Sequence, residues 1–160
     1  MNVEKSREIV LILPADKKHF YSLTVLTKKF FPYTKFSFEE LKRRTSTSSI
    51  KYLVAQIAGA TVGFADYELI PQSPESLPRC KLMGLVVLEE HRGKGIAKRL
   101  VERVLSEAKT AGCVKVFLLV AEDNKAAISL YNSLGFVSKG KTEKKIGETH
   151  VLIMEKMFGN

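Results

Sequence analysis

Lys81-Leu-Met-Gly-Leu-Val-Val-Leu-Glu-Glu-His-Arg92-Gly-Lys-Gly95-Ile-Ala97-Lys-Arg-Leu100 is the stretch that decides the fold. An apolar strand runs into a basic, glycine-bearing loop, and the loop runs into an amphipathic helix. That order builds an anion site. The first backbone N–H groups of a helix have no internal partner and sit at the positive end of its dipole. A loop without side chains at Gly93 and Gly95 lets a phosphate approach those groups closely. Arg92, Lys94, Lys98 and Arg99 add full positive charges, so the implied ligand carries phosphates, a pyrophosphate in particular.

Three phosphate-binding patterns compete for this loop. A P-loop needs Gly, four residues, then Gly-Lys-Ser/Thr, and that spacing is absent. The dinucleotide fingerprint finds its first half in Gly93-Lys94-Gly95, but Lys98 replaces its third glycine. Glu122, at the end of the next apolar run, is available as its ribose acid. The third pattern, Arg-x-x-Gly-x-Gly/Ala, is met by Arg92-Gly93-Lys94-Gly95-Ile96-Ala97. It resembles the acetyl-CoA pyrophosphate loop of the GNAT superfamily of N-acetyltransferases.

A second segment separates the patterns. After the apolar run Val114–Ala121 comes Glu122-Asp123-Asn124-Lys125-Ala126-Ala127-Ile128-Ser129-Leu130-Tyr131-Asn132-Ser133-Leu134-Gly135-Phe136. This is similar to the other GNAT signature: an Asn at a helix start, Ala-x-x-x-Tyr, then Leu-Gly-Phe. Within the family it most resembles ribosomal-protein and other N-terminal acetyltransferases. The resemblance covers Lys81 to Phe136 closely and residues 1–80 only in their broad pattern of elements.

The chain has 160 residues, enough for one domain (1–160) that buries roughly two thirds of its unfolded surface. No apolar stretch reaches the ~18 residues needed to span a bilayer. The charged start, Met1-Asn-Val-Glu-Lys-Ser-Arg-Glu, lacks the apolar core of a signal peptide. Two cysteines, Cys80 and Cys113, stand at no metal spacing and suit a reduced, cytoplasmic protein. The net charge of +9 favours polyanionic ligands. It is scattered, without a run of five like charges or aromatic–basic stacking motifs, which argues against nucleic acid and leaves no membrane role.

Along the chain the patterning predicts a strand over Arg7–Leu13 and a helix from Ala15 to Phe30, with Phe20, Leu23, Val25, Leu26 and Phe30 available for its buried face. A short helix over Phe38–Arg44 is capped by Ser37 with Glu40. Lys51–Ile57 and Thr61–Ile70 form a hairpin around Ala58-Gly59-Ala60. Leu82–Leu88 is a strand, Ile96–Ala111 a half-buried helix ended by Gly112, and Val114–Ala121 a strand parallel to Leu82–Leu88. A helix over Lys125–Leu134 and a hairpin, Phe136–Ile146 with Thr149–Phe158, complete an α/β fold with a mixed sheet. Too little chain follows the second parallel strand to finish a doubly wound sheet, which weakens the dinucleotide reading. The resemblance implies that the two parallel strands splay, with helices flanking the sheet and the pantetheine arm wedged between the strands.

It also implies site residues. Arg92, Gly93, Lys94, Gly95, Ile96 and Ala97 would hold the pyrophosphate. Backbone groups of Leu85 and Val87 would bond the pantetheine and the acetyl carbonyl, and Val86 between them would also lie at the coenzyme. Asn124 would cap its helix and touch the coenzyme. Tyr131, which shares a helical stripe with Ala127, Leu130 and Leu134, would either pack as a core aromatic or protonate the departing thiolate. The cosubstrate would be acetyl-CoA, with no metal, and the acceptor a protein or peptide N-terminus or a small amine such as a polyamine, amino acid or antibiotic. A CoA- or nucleic-acid-binding module without activity is the rival class. The chain would act as a monomer or homodimer. Neither parallel strand carries the glutamate that many relatives use as general base, which leaves Glu68, Asp66 and His150 as candidates.

Overall fold

The computed structural model describes residues 8–159. Its strands are β1 (Val10–Pro14), β2 (Ile50–Ile57), β3 (Ala60–Ile70), β4 (Arg79–Val87), β5 (Lys115–Ala121), β6 (Val137–Ile146) and β7 (Thr149–Met157). They form one sheet in the order β1-β2-β3-β4-β5-β7-β6. All neighbours are antiparallel except β4 and β5. The helices are α1 (Phe20–Phe30), α2 (Phe38–Ser46), α3 (Ile96–Thr110) and α4 (Lys125–Ser133). The predicted strand at Arg7–Leu13 falls partly outside the described residues; its visible part is β1.

Each sheet face carries its own core. Leu23 and Leu26 of α1 and Leu41 of α2 pack with Tyr52, Val54, Phe64 and Val86 on one side. Ile96, Leu100, Val101, Val104 and Ala108 of α3 pack with Leu53, Ala65, Leu82, Val116 and Leu118 on the other, together with Tyr131 of α4. The period-2 alternation of the strands sends successive side chains to these two faces.

Several details differ from the patterning. The helix expected from Ala15 is divided: Asp16 caps a 3-10 turn, Lys17–His19, and the α-helix starts at Phe20. The imidazole Nδ1 of His19 accepts the backbone N–H of Asp16 at 3.0 Å, which closes the cap and fixes that division. Val25 is 47% exposed and is not a core residue. At 100° per residue it faces away from the Leu23–Thr27 stripe, and Thr24 and Thr27 take the inner positions, donating their hydroxyls to Phe20 and Leu23 carbonyls. Strand β4 starts three residues before Leu82, because Ile70↔Arg79 already opens the ladder with β3. The two-residue hairpin turn Ala58-Gly59 has φ of 50° and 80°, both positive as a type I′ turn requires.

The decisive irregularity lies in β4. Its ladder with β3 runs Asp66↔Gly84 and then Tyr67↔Leu82, so Met83 is an extra residue, a bulge. The parallel pairing with β5 covers only Arg79↔Lys115 to Leu82↔Leu118. Beyond the bulge, β4 continues on β3 and β5 continues on β7, so the two strands part.

Candidate active site

The parted strands open a cleft of about 520 Å³. Leu85, Val86, Val87, Arg92, Ala97, Asn124 and Tyr131 all line it, which brings together residues from β4, the loop after it, α3 and α4. Leu88 donates its N–H to the Val62 carbonyl of β3 at 2.8 Å. In an antiparallel ladder the backbone groups alternate in direction, so those of Leu85 and Val87 turn away from β3 toward the cleft. They offer an extended ligand the hydrogen bonds that β5 would have made.

The basic loop closes one end. Gly93 and Gly95 have φ of 76° and 78°, where an L side chain is strained. Gly95 is the N-cap of α3 and supplies no side-chain cap, so the N–H groups of Ile96, Ala97 and Lys98 have no helical acceptor. The Ile96 side chain is buried in the core, 2% exposed, and only its backbone is available to a ligand. Arg92 donates Nε–H to the Val87 carbonyl at 3.2 Å and lies 6.0 Å from the Phe30 ring centroid, which holds its guanidinium at the cleft.

Not every expected charge gathers here. Arg99 donates to the Val10 carbonyl at 2.9 Å and ties α3 to β1 instead. Lys94 contacts Glu8 at 2.6 Å and His91 Nδ1 at 3.1 Å. That lysine holds the Glu8 carboxyl below the usual range. Glu122, the ribose acid of the dinucleotide pattern, faces Lys141 at 3.4 Å and does not line the cleft.

Helix α4 supplies the other wall. Asn124 Oδ1 accepts the Ala127 N–H at 3.2 Å, so the side chain caps the helix and keeps its amide N–H groups for a ligand. Tyr131 is 7% exposed and packs on Phe136 with centroids 5.6 Å apart. Burial pushes its hydroxyl pKa up to about 12, so it stays a proton donor at neutral pH. Core aromatic and cleft donor are therefore one residue. Cys80 and Cys113 are buried free thiols, and burial raises the pKa of both, to about 12 for Cys80, as suits packing rather than nucleophilic attack.

A second cavity, of about 390 Å³, adjoins the first and shares Phe31, Met83 and Gly84 with it. Four aromatic rings, those of Phe31, Phe36, Tyr52 and Phe64, line it beside the charged side chains of Lys35, Glu40, Arg44 and Asp66. Asp66 of β3 lines it, 5% exposed, with Arg44 Nη2 of α2 at 3.2 Å from its Oδ2. The backbone N–H of Gly84 also favours the charged form of this carboxylate. Burial raises the pKa of Asp66, and Arg44 opposes that shift. Glu68 does not join this site. Paired in register with Ile50 and Lys81, it lies two residues further along β3 and lines neither cavity. His150 pairs with Lys145, accepts the Glu122 N–H on its carbonyl, and lines neither cavity. The sequence reading missed Arg44 and Gly84. Its only trace of them was a lone aspartate inside the otherwise apolar run Val62-Gly63-Phe64-Ala65-Asp66-Tyr67.

A model of the acetyltransferase (GNAT) family matches residues 19–136, and the chain belongs to that family. N-acetyltransferase family 8 member 2 of Rattus norvegicus is 33% identical over 108 residues, 68% of this chain and 45% of that protein. N-alpha-acetyltransferase MAK3 of Arabidopsis thaliana is 43% identical over 53 residues, 33% of this chain and 28% of that protein. The match thus spans less than half the length of these curated relatives. Among solved structures, a chain of the NatC complex bound to Gag peptide and CoA superposes with a TM-score of 0.79 at 20% identity, over 94% of this chain and 99% of that one. That likeness is one of fold.

Proposed function

We propose that the protein moves an acetyl group from acetyl-CoA to a primary amine by direct attack, and that the amine is the N-terminus of a peptide or protein. The observation that carries this reading is the parting of β4 from β5 after Leu82↔Leu118, which leaves the backbone of Leu85 and Val87 facing a cleft that ends at the unpaired N–H groups of α3. An extended, hydrogen-bonding arm with a pyrophosphate at one end fits that shape, and acetyl-CoA is such a molecule.

In this reading Gly93, Gly95 and the first turn of α3 receive the pyrophosphate, with Arg92 as its cationic partner and Lys94 as a second once it exchanges Glu8 for the phosphate. Val87 and Leu85 hold the pantetheine and the acetyl carbonyl through main-chain N–H groups, which also stabilise the oxyanion as the amine adds. Asn124 touches the pantetheine from its cap. Tyr131 gives its hydroxyl proton to the sulfur as the C–S bond breaks. Holding both reactants in register supplies most of the rate, since a bimolecular step becomes unimolecular.

The acceptor enters through the smaller cavity, which meets the cleft at Gly84. Its aromatic walls favour an apolar side chain beside the amine. The N-alpha activity named for the Arabidopsis relative and the peptide in the NatC complex support an N-terminal acceptor. The two buried, free cysteines support a reducing, cytoplasmic setting. The test is a thiol-release assay with acetyl-CoA against peptides with free N-termini, peptides with blocked N-termini and an internal lysine, and a set of small amines. Release with the first class carries the reading; release with none of them overturns it.

A further inference from the structure

Resting on the acetyl-transfer reading, we propose that Asp66 takes the proton from the acceptor amine, with Arg44 as the residue that positions its carboxylate. Asp66 lines the smaller cavity, next to its junction with the cleft. It pairs in register with Gly84, which lines both of them, and the next residue, Leu85, turns its backbone into the cleft. The bulge at Met83 and the missing side chain at Gly84 create the room: a Cβ at residue 84 would overlap Asp66 Oδ1. A carboxylate is thereby set into the sheet one residue from the point where the strands part.

The groups around it single it out. From α2, Arg44 bonds Oδ2, while Glu40 is held by Arg43 at 2.6 and 2.9 Å, which lowers its pKa and makes it a weaker base. From β2, Tyr52 lies opposite Asp66, and burial and that carboxylate push its hydroxyl pKa upward. Lys35 joins the lining from the loop before α2, and α1 and β4 contribute only Thr27, Phe31, Met83 and Gly84, none of which titrates. Apart from Glu40, which Arg43 holds, Asp66 is the one carboxylate lining this cavity among the described residues. Burial raises the Asp66 pKa and Arg44 opposes that shift, so the carboxylate is a stronger base than an exposed aspartate.

The step balances as follows. The incoming ammonium gives one proton to Asp66 and becomes a neutral amine. Its nitrogen pair forms a C–N bond to the thioester carbonyl carbon, and the C–S bond of the tetrahedral intermediate breaks. The thiolate takes the Tyr131 proton, Tyr131 recovers one from the nitrogen, and Asp66 later releases its proton to solvent.

The experiment compares kcat/KM of wild type and Asp66→Asn from pH 6 to 9.5 with a peptide bearing a free N-terminus. CoA affinity and melting temperature are measured on the same samples. The expected loss is about a hundredfold at pH 6.5, the scale of general-base catalysis. It should shrink to within about tenfold by pH 9.5, where an α-amine of pKa about 8 loses its proton unaided. A structural role would lower activity by the same factor at every pH, and that result overturns the proposal while leaving acetyl transfer standing. If Asp66→Asn melts early, the paired Asp66→Asn/Arg44→Gln variant leaves no orphaned charge and must show the same pH dependence. A Glu68→Gln variant with that pH-dependent loss would transfer the role to Glu68. A wild-type protein that acetylates no amine would overturn both readings.

Discussion

Gly84 and the carboxylate of Asp66 share a space that has room for only one side chain: a Cβ on residue 84 would run into Asp66 Oδ1. Backbone angle does not require glycine here, since Gly84 is not among the positive-φ residues; close approach does. Gly84→Ala should therefore push the carboxylate off Arg44 and strain the bulge. Overpacking of this kind costs about 1–3 kcal/mol, which in a domain of this size lowers the melting temperature by roughly 2–10 °C. Thermal denaturation checks it. An unchanged melting temperature would mean that β4 yields at the bulge without cost.

The phosphate loop makes a separate prediction. Gly95 holds φ of 78° at the N-cap of α3, a region that a β-branched residue resists strongly. Gly95→Val should move the first N–H groups of α3 and also block the approach of a pyrophosphate. Arg92→Ala should remove a charge-assisted bond worth about 1.5–3 kcal/mol, or about 10- to 150-fold in CoA affinity. Titration calorimetry with CoA should show weaker binding for both variants while circular dichroism stays native. Unchanged binding in both would remove the loop from the coenzyme site.

Tyr131 separates an enzyme from a binding module. The phenol is needed only when the thiolate departs, so Tyr131→Phe should keep CoA affinity and lower kcat by about a hundredfold. Because its pKa is raised to about 12, wild-type kcat should show no loss of this acid below pH 10. Equal turnover by the Phe variant would leave Tyr131 as a packing residue alone.

Alkaline stability follows from the same burial. Tyr67 and Tyr131 are pushed from 10.0 to about 12, and Cys80 from 9.0 to about 12. In the unfolded chain these groups lose their protons near their ordinary values, while the folded chain keeps them. Stability is therefore fully present below about pH 9 and falls as pH rises toward 12. Urea midpoints at pH 8, 10 and 11 should decline in that order. A flat series would mean that the folded protein ionises these groups without resistance.

The sequence made the strand–loop–helix of Lys81–Leu100 legible because glycine, charge and apolar period act locally there. The cap of α4 at Asn124 was legible for the same reason, whereas period alone made Tyr131 a core residue and only the family resemblance turned it to the coenzyme. Glu68 was not distinguishable from Asp66 by sequence, since both stand on one strand with period 2. The choice between them depends on the Met83 bulge, on the missing side chain at Gly84 and on an arginine 22 residues earlier in the chain. Likewise the outward face of Val25 depends on where α1 begins, which the His19 cap decides.

The final prediction concerns the acceptor. A peptide α-amine has a pKa of about 8 and a lysine side chain about 10.4. At pH 7.5 roughly a quarter of the first is neutral, against about a thousandth of the second, a ratio of about 200 before any catalysis. One base serves either amine, so the difference in the neutral fraction of the acceptor persists in kcat/KM, and neither parallel strand carries a further carboxylate. The protein should therefore prefer N-termini to lysines by about a hundredfold in kcat/KM at pH 7.5. The aromatic walls of the smaller cavity add a second discrimination, for an apolar first residue over a charged one. Three peptides decide the matter: one starting with leucine, one starting with aspartate, and one with a blocked N-terminus and an internal lysine. The expected order of kcat/KM is leucine first, aspartate next, blocked lysine last. Faster acetylation of the blocked lysine peptide would require a stronger base than Asp66 and would overturn the N-terminal assignment.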